Sequence, residues 1–276
     1  MRNLDVGIVV PTLGERPHLL NEALNSIRRA GECTVVLVTP KPRRLELELD
    51  SNLYDGILLD PGKGLSQAID YGIRSMPVSV EYTNWLGDDD LLTEHSIAQA
   101  RNVLCENQKV SLVYGRCQYI DYEGRNLWLN KSGSWATTVM RFGPQLVAQP
   151  GALFRLENYK RVGGLNPELK WAFDLDLFMR LSRIGDTRYI PVTLAKFRWH
   201  SESLSVGNRS GSVAEASRVR VAALPRYLRW LAALWEKPMQ RVINDAGIKI
   251  GAYFQRQLSR TQSSSLPNSE EQIDQY

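Results

Sequence analysis

Residues 6–10 form an unbroken apolar run closed by Pro11, the pattern of a strand buried on both faces of a parallel sheet. From 17 to 29 the apolar positions change to helical spacing, with Leu19, Leu20, Ala23, Leu24 and Ile27 on one face. Pro17 at its start and Gly31 past its end agree with the usual terminal preferences. Residues 34–38 and 56–59 repeat the strand pattern, and the charged stretch 40–52 between them is expected at the surface. Gly62 and Gly64 open a helix reaching about Ser75. A strand is expected over 81–86, a helix over 94–107 and a fifth strand over 112–114. This alternation predicts a three-layer α/β domain with a mainly parallel sheet.

The second half changes character. Residues 117–122 and 126–130 flank Glu123-Gly124-Arg125 as the arms of a hairpin, whereas 131–149 carries no clear period. A strand is expected over 151–154 and a short helix over 157–162, before Gly163-Gly164. Leu175, Phe178, Met179 and Leu181 then share a helical face closed by Gly185, and 193–199 is a last strand. From 213 to 258 the pattern is helical, broken near Pro225 and Pro238. Residues 218–260 hold seven Arg and two Lys against two acidic residues. A basic amphipathic helix lies on an anionic membrane surface or packs its apolar face on the core, and the pattern allows both. Residues 261–276, rich in Ser, Gln and Glu, are expected to be disordered. The chain therefore divides into a domain over 1–212 (halves 1–115 and 116–212), a helical extension over 213–260 and a tail over 261–276.

Composition narrows this little. With 43% hydrophobic and 23% charged residues, the 276-residue chain reads as an ordinary soluble protein with room for a sizeable core. A net charge of +4 does not call for nucleic acid. Cys33, Cys105 and Cys117 show no metal-ligand spacing and leave one thiol unpaired, which suits a reducing cytoplasm. No signal-peptide pattern and no stretch of eighteen apolar residues occurs. A cytoplasmic protein is expected, with a peripheral contact to the inner face of the membrane through 213–260 as the further option.

The candidate chemistry centres on Asn-Trp-Leu-Gly-Asp-Asp-Asp-Leu-Leu, residues 84–92. Three like charges, Asp88, Asp89 and Asp90, at the end of a buried strand are costly without a cation. Mg²⁺ or Mn²⁺ is the usual compensation and shares its remaining positions with substrate phosphates. The same carboxylates also suit the start of the helix near Thr93, and the residues alone leave both readings open. Gly62-Lys63-Gly64 either approaches a phosphate or makes a tight turn. Asp174 and Asp176 sit together at a helix start, more carboxylate than capping requires. His200 follows a strand as the aspartates do, although a lone histidine is commonly structural. Trp128, Trp135 and Trp171 offer faces for sugars or for the core. Residues 11–16, 62–64 and 88–90 all follow expected strands, so they converge on one crevice at the carboxyl edge of the sheet.

In this order, the motifs resemble the family 2 glycosyltransferases of the GT-A fold. Val-Val-Pro-Thr-Leu-Gly-Glu-Arg from residue 9 looks like the family's opening strand and nucleotide loop, Gly62 to Ile73 its glycine-led helix, and Trp85 to Leu92 its DxD-type metal motif. Val162 to Leu181 is similar to the segment ending in the catalytic carboxylate, and Phe197 to Ser205 to a closing histidine motif. The resemblance covers roughly residues 5–205. It implies an inverting, metal-dependent transfer of a sugar from a nucleotide-diphosphate donor to a glycan or lipid-linked acceptor, in surface polysaccharide biosynthesis. Pro11, Thr12, Glu15 and Lys63 would line the nucleotide site, and Asp88 and Asp89 would face ribose and sugar. Asp90 would hold Mn²⁺ or Mg²⁺ with help from His200. Asp174 would be the general base, with Trp171 and Asp176 on the acceptor side. Two positions depart from the family: Thr39-Pro40-Lys41 stands where an acidic residue often contacts the base, and Phe173 replaces the usual Glu before the catalytic carboxylate. A non-catalytic sugar-nucleotide or glycan-binding module and a metal-dependent phosphohydrolase are the competing readings.

Overall fold

The structure, a computed structural model, describes residues 4–199, 209–232 and 234–245. Its first half follows the expected alternation: β1 (Val6–Pro11), α1 (Pro17–Ala30), β2 (Thr34–Thr39), α2 (Pro42–Glu48), β3 (Gly56–Leu59), α3 (Leu65–Arg74) and β4 (Tyr82–Trp85). Then come β5 (Leu91–Leu92), α4 (Ser96–Glu106), β6 (Val110–Ile120), β7 (Asn126–Asn130) and α5 (Ala136–Val139). The chain continues with β8 (Ala152–Arg155), α6 (Leu156–Arg161), α7 (Phe173–Ile184), β9 (Asp186–Arg198) and α8 (Arg209–Ala223). A 3₁₀ segment, Arg226–Ala232, and a helical stretch over 234–245 follow.

All nine strands join one sheet in the order β3-β2-β1-β4-β8-β6-β9-β5, with β7 paired to β6. β3, β2, β1 and β4 are mutually parallel, β8 inserts antiparallel, and β6 and β9 return to the first direction. Six strands thus share one sense; β5, β7 and β8 oppose them. Side-chain alternation along β1 builds a core on each face. Val6, Ile8 and Val10 meet Leu20, Leu24 and Ile27 of α1, while Val9 meets Ala68, Ile69 and Ile73 of α3. The α4 residues Ile97 and Leu104 join the first face; Leu175, Phe178 and Leu181 of α7 join the second. Each such side chain contributes about 1.5–3 kcal/mol on burial. Helix α3 lies close enough to the sheet that a Cβ on Gly72 would come within 2.7 Å of Val9. Glycine is what that approach requires.

Several expectations change. The charged 40–52 stretch folds as α2 and a 3₁₀ turn, because Leu45, Leu49 and Leu53 turn inward (1–9% exposed) beneath an outer layer of charge. The strands expected at 112–114 and 117–122 are one strand, β6. Gly115, where a Cβ would come within 2.6 Å of the Val192 carbonyl, keeps the strand whole where its register with β9 shifts. Leu91–Leu92, expected only as the approach to a helix, pairs with Lys196 and Ala195 of β9. Arg155, at the end of β8, is buried and donates to the carbonyls of Leu104, Asn107 and Val110, satisfying the end of α4. None of the helices among the described residues is long and apolar enough to cross a membrane.

Candidate functional site

The carboxyl ends of β1, β2, β3 and β4 open onto a cavity of about 530 Å³, closed on the far side by the start of α7 and the end of β9. The volume lies within the ordinary range for small-molecule sites. Of the residues expected from sequence, the cavity wall brings together Pro11, Thr12, Glu15, Asp88, Asp89, Asp90, Trp171 and Asp174.

Thr12 ties the first loop to the aspartates. Its backbone N–H donates to Val38 O, and its hydroxyl donates to Asp88 at 2.6 Å while accepting from the Gly14 N–H. Arg16, at the head of α1, bridges the next two carboxylates, with Nη2 2.9 Å from Asp88 and Nη1 2.9 Å from Asp89. Asp90 is the deepest, 4% exposed, and accepts the backbone N–H of Arg198 at 2.9 Å. Burial first, and then the charge of Asp89, holds its carboxyl well above the usual range. Burial likewise raises Asp88, against the downward pull of Thr12 and Arg16. The aspartates are therefore not a helix cap. α4 begins only at Ser96, behind a left-handed His95.

Arg198, 2% exposed, holds this corner together. Its side chain donates to Asp89 O, Asp121 O and Tyr122 O and pairs with Glu22 of α1. One guanidinium thus joins β9, the aspartate loop, the β6–β7 turn and α1.

Across the cavity Asp174 occupies the first turn of α7. Gln145 Nε2 donates to its Oδ2 at 2.7 Å, and the Leu175 N–H donates to Oδ1. Desolvation lifts the Asp174 carboxyl to about 6, although both hydrogen bonds favour the charged form. The loop leading into it is held from α8, where the Glu215 carboxylate accepts the N–H groups of Lys170, Trp171 and Ala172 at 2.6–3.2 Å. The expected boundary at 212/213 falls inside that helix. On the floor, Gln149 donates to Asn84 Oδ1 and Trp85 O.

Two expected residues stand elsewhere. Lys63 is exposed and off the cavity wall; Gly64 and Leu65 line it instead, because Gly62 and Gly64 take left-handed conformations (φ 71° and 101°) that turn Lys63 outward. Asp176, two residues past Asp174, lines a groove between α7 and α8 and pairs with Arg180 at 2.6 Å. His200 lies outside the described residues. Trp128 stacks on Tyr119 (centroids 4.1 Å apart) within a cluster that includes Phe197 and Trp199, and Trp135 is exposed.

Sequence reasoning missed Arg16, Asp60, Gln145, Gln149 and Arg198. Asp60 follows β3 as the aspartates follow β4, and that parallel placement was the available signal; it lines the cavity, with its N–H donating to Thr39 O. Among the described residues no group of three His, Cys, Asp or Glu side chains is arranged to cage a metal. The hard oxygen donors of Asp89 and Asp90 suit a divalent cation that completes its shell with ligand phosphates and water.

No family model matches the chain. It is 27% identical over 149 residues to a Rickettsia felis protein and 26% identical over 144 residues to a Rickettsia typhi protein, each described as an uncharacterized glycosyltransferase. Either match takes in 50% of this chain, and spans 24% of the first relative's length and 45% of the second's. Among solved structures, S. aureus TarS 1–349 in complex with UDP-GlcNAc aligns at TM-score 0.62 and 14% identity, over 82% of this chain and 69% of that one. A mannosyltransferase from Pyrobaculum calidifontis, in complex with GDP-Man and Mn²⁺, aligns at TM-score 0.58 and 16% identity, over 94% and 80%. At such identities the likeness shows the fold, which is GT-A-like.

Proposed function

We propose that the chain is an inverting, metal-dependent glycosyltransferase that moves a sugar from a nucleoside-diphosphate donor to a hydroxyl of a glycan or lipid-linked acceptor, in the building of a surface polysaccharide. The observation that carries this reading is the opposition, across one cavity, of the Asp88–Asp90 loop and Asp174. A carboxylate lifted to about 6 is ionised at neutral pH and is still basic enough to take a proton. Both rickettsial relatives bear glycosyltransferase names, and the two solved neighbours hold nucleotide sugars, which supports the same reading.

Pro11, Thr12, Glu15 and Asp60 face the nucleoside, and Asp88 and Asp89 face ribose and sugar. Arg16, already between those carboxylates, is a cation within reach of an incoming diphosphate. Asp89 and Asp90 would hold Mn²⁺ or Mg²⁺, which supplies Lewis-acid neutralisation of the leaving diphosphate. Trp171 lies on the acceptor side. Asp174 takes the proton of the acceptor hydroxyl as that oxygen bonds the anomeric carbon. The bond from that carbon to the diphosphate oxygen breaks, and the nucleoside diphosphate leaves from the opposite face with inversion.

The test is a thermal-shift panel of UDP-, GDP-, dTDP- and CMP-sugars with and without Mn²⁺, followed by NMR of the product. A ligand at a hundred times its Kd adds about 2.7 kcal/mol of stability. We expect one nucleotide to stabilise the protein in a metal-dependent way, Asp174→Asn to keep that shift without turnover, and the product to be inverted. A retained anomeric configuration sinks the role given to Asp174. Release of inorganic phosphate from simple esters would favour a phosphohydrolase instead.

A further inference from the structure

Beyond the cavity, an exposed apolar and basic surface lies after α8. In the 3₁₀ segment Arg226–Ala232, side chains three apart lie one above the other. That arrangement pairs Tyr227 with Trp230, each 73% exposed, beside Arg226 and Arg229. In the helical stretch over 234–245, residues 234, 237, 241 and 242 fall on one face. Leu234 and Val242 are 72% and 62% exposed there, flanked by exposed Lys237 and Arg241. Asp245, which falls on the same face, is the one exposed acidic residue of the described stretch 224–245.

The opposite face is firmly docked. Arg220, 2% exposed, makes a two-bond ion pair with Glu236 at 2.8 Å. Trp235 meets Phe142 edge-on at 6.3 Å. Arg229 also donates to the carbonyls of Leu224 and Ala222 at the end of α8, which fixes the 3₁₀ segment. The outward aromatics are therefore not awaiting a place in the core, since their own segment already has its inner contacts.

We infer that this face is a docking surface for an anionic bilayer. Its chemistry selects that occupant. Tyr and Trp favour the headgroup level, where an apolar ring and a polar edge are both satisfied. Three cations around them, Arg226, Lys237 and Arg241, match anionic headgroups, each worth roughly fivefold in partitioning close to the surface. Protein interfaces also favour Tyr, Trp and Arg, but their cores are depleted in charge overall, and three cations beside one exposed carboxylate suit an anionic surface better. One surface of this size holds reversibly and weakens with salt. Tyr227, Trp230 and Leu234 enter the headgroup region while Arg226, Lys237 and Arg241 stay at the phosphate level.

The test is co-sedimentation of the full chain with phosphatidylcholine vesicles and with vesicles carrying phosphatidylglycerol, across a salt series. Expected are binding to the anionic vesicles alone and loss at high salt. Trp230→Ser/Leu234→Ser and Arg226→Glu/Arg241→Glu should each weaken partitioning about tenfold or more, with unchanged circular dichroism and melting temperature. No binding of the folded parent to anionic vesicles overturns the inference. So does binding that both double variants leave intact, and so does a concentration-dependent dimer, abolished by Trp230→Ser, in place of vesicle binding. None of these readouts involves a sugar donor, so the result stands apart from that of the proposed transferase reaction.

Discussion

Asp174 owes its raised carboxyl to where it sits. Desolvation pushes it to about 6, and the Gln145 amide, by donating to the charged form, keeps it from rising further. A base of this kind gives a rate that climbs through an apparent pKa near 6. Gln145→Ala should move that limb to higher pH by about half a unit and lower kcat, which a pH series of kcat/KM will read. The same shift has a stability sign. The folded value lies above the ordinary one, so the fold favours the protonated form. That contribution is complete below about 4 and is lost as pH rises through about 6. Asp174→Asn should therefore be more stable than the parent at pH 7.5 by about 1–3 kcal/mol, and no more stable at pH 4, in urea melts at the two pH values. The three aspartates were legible as a motif because they are consecutive. Gln145 was not, since it lies in a stretch without periodicity and acts on a residue 29 positions away.

At the scale of elements, most of the alternation could be read from period alone, because β1, β2 and α1 bury complete faces and their sequences carry little else. Short and mixed elements escaped. α2 hides three inward leucines under charge, and β5 has two residues whose partners are a hundred positions away. α8 is the more instructive case. Its weak amphipathic pattern concealed that Glu215 reaches back to three consecutive N–H groups before Asp174. A charged acceptor for several backbone donors exceeds an ordinary hydrogen bond in strength. Glu215→Gln cannot receive three donors equally well. It is expected to reduce kcat by about tenfold or more while leaving the thermal shift by the nucleotide donor in place. Equal loss of both would mean that the helix merely stabilises the fold.

Across the whole molecule, the crevice is assembled from both halves of the chain. Parallel strands present the first loop and the aspartates, as the topology of such sheets dictates, and this much was visible in the sequence. The part played by Arg198 in the closing wall was not, because Arg198 gains its meaning only from partners far away in sequence. Arg198→Ala would strand the carbonyls of Asp89, Asp121 and Tyr122 and leave the half-exposed Glu22 carboxylate to water. A loss of about 3 kcal/mol or more is expected in urea melts, together with weaker Mn²⁺-dependent donor binding. If stability fell while donor binding stayed unchanged, the aspartate loop would hold its shape without this residue.

The Arg198 junction also sets an order of events during synthesis. Asp90 leaves the ribosome early, but the N–H that donates to its carboxylate belongs to a residue 108 positions later. At about 5–20 residues per second, the acidic corner waits on the order of ten seconds for its keystone. During that interval the nascent chain has its first strands and no finished crevice. The crevice is closed only when the strand carrying Arg198 enters between two that were made before it.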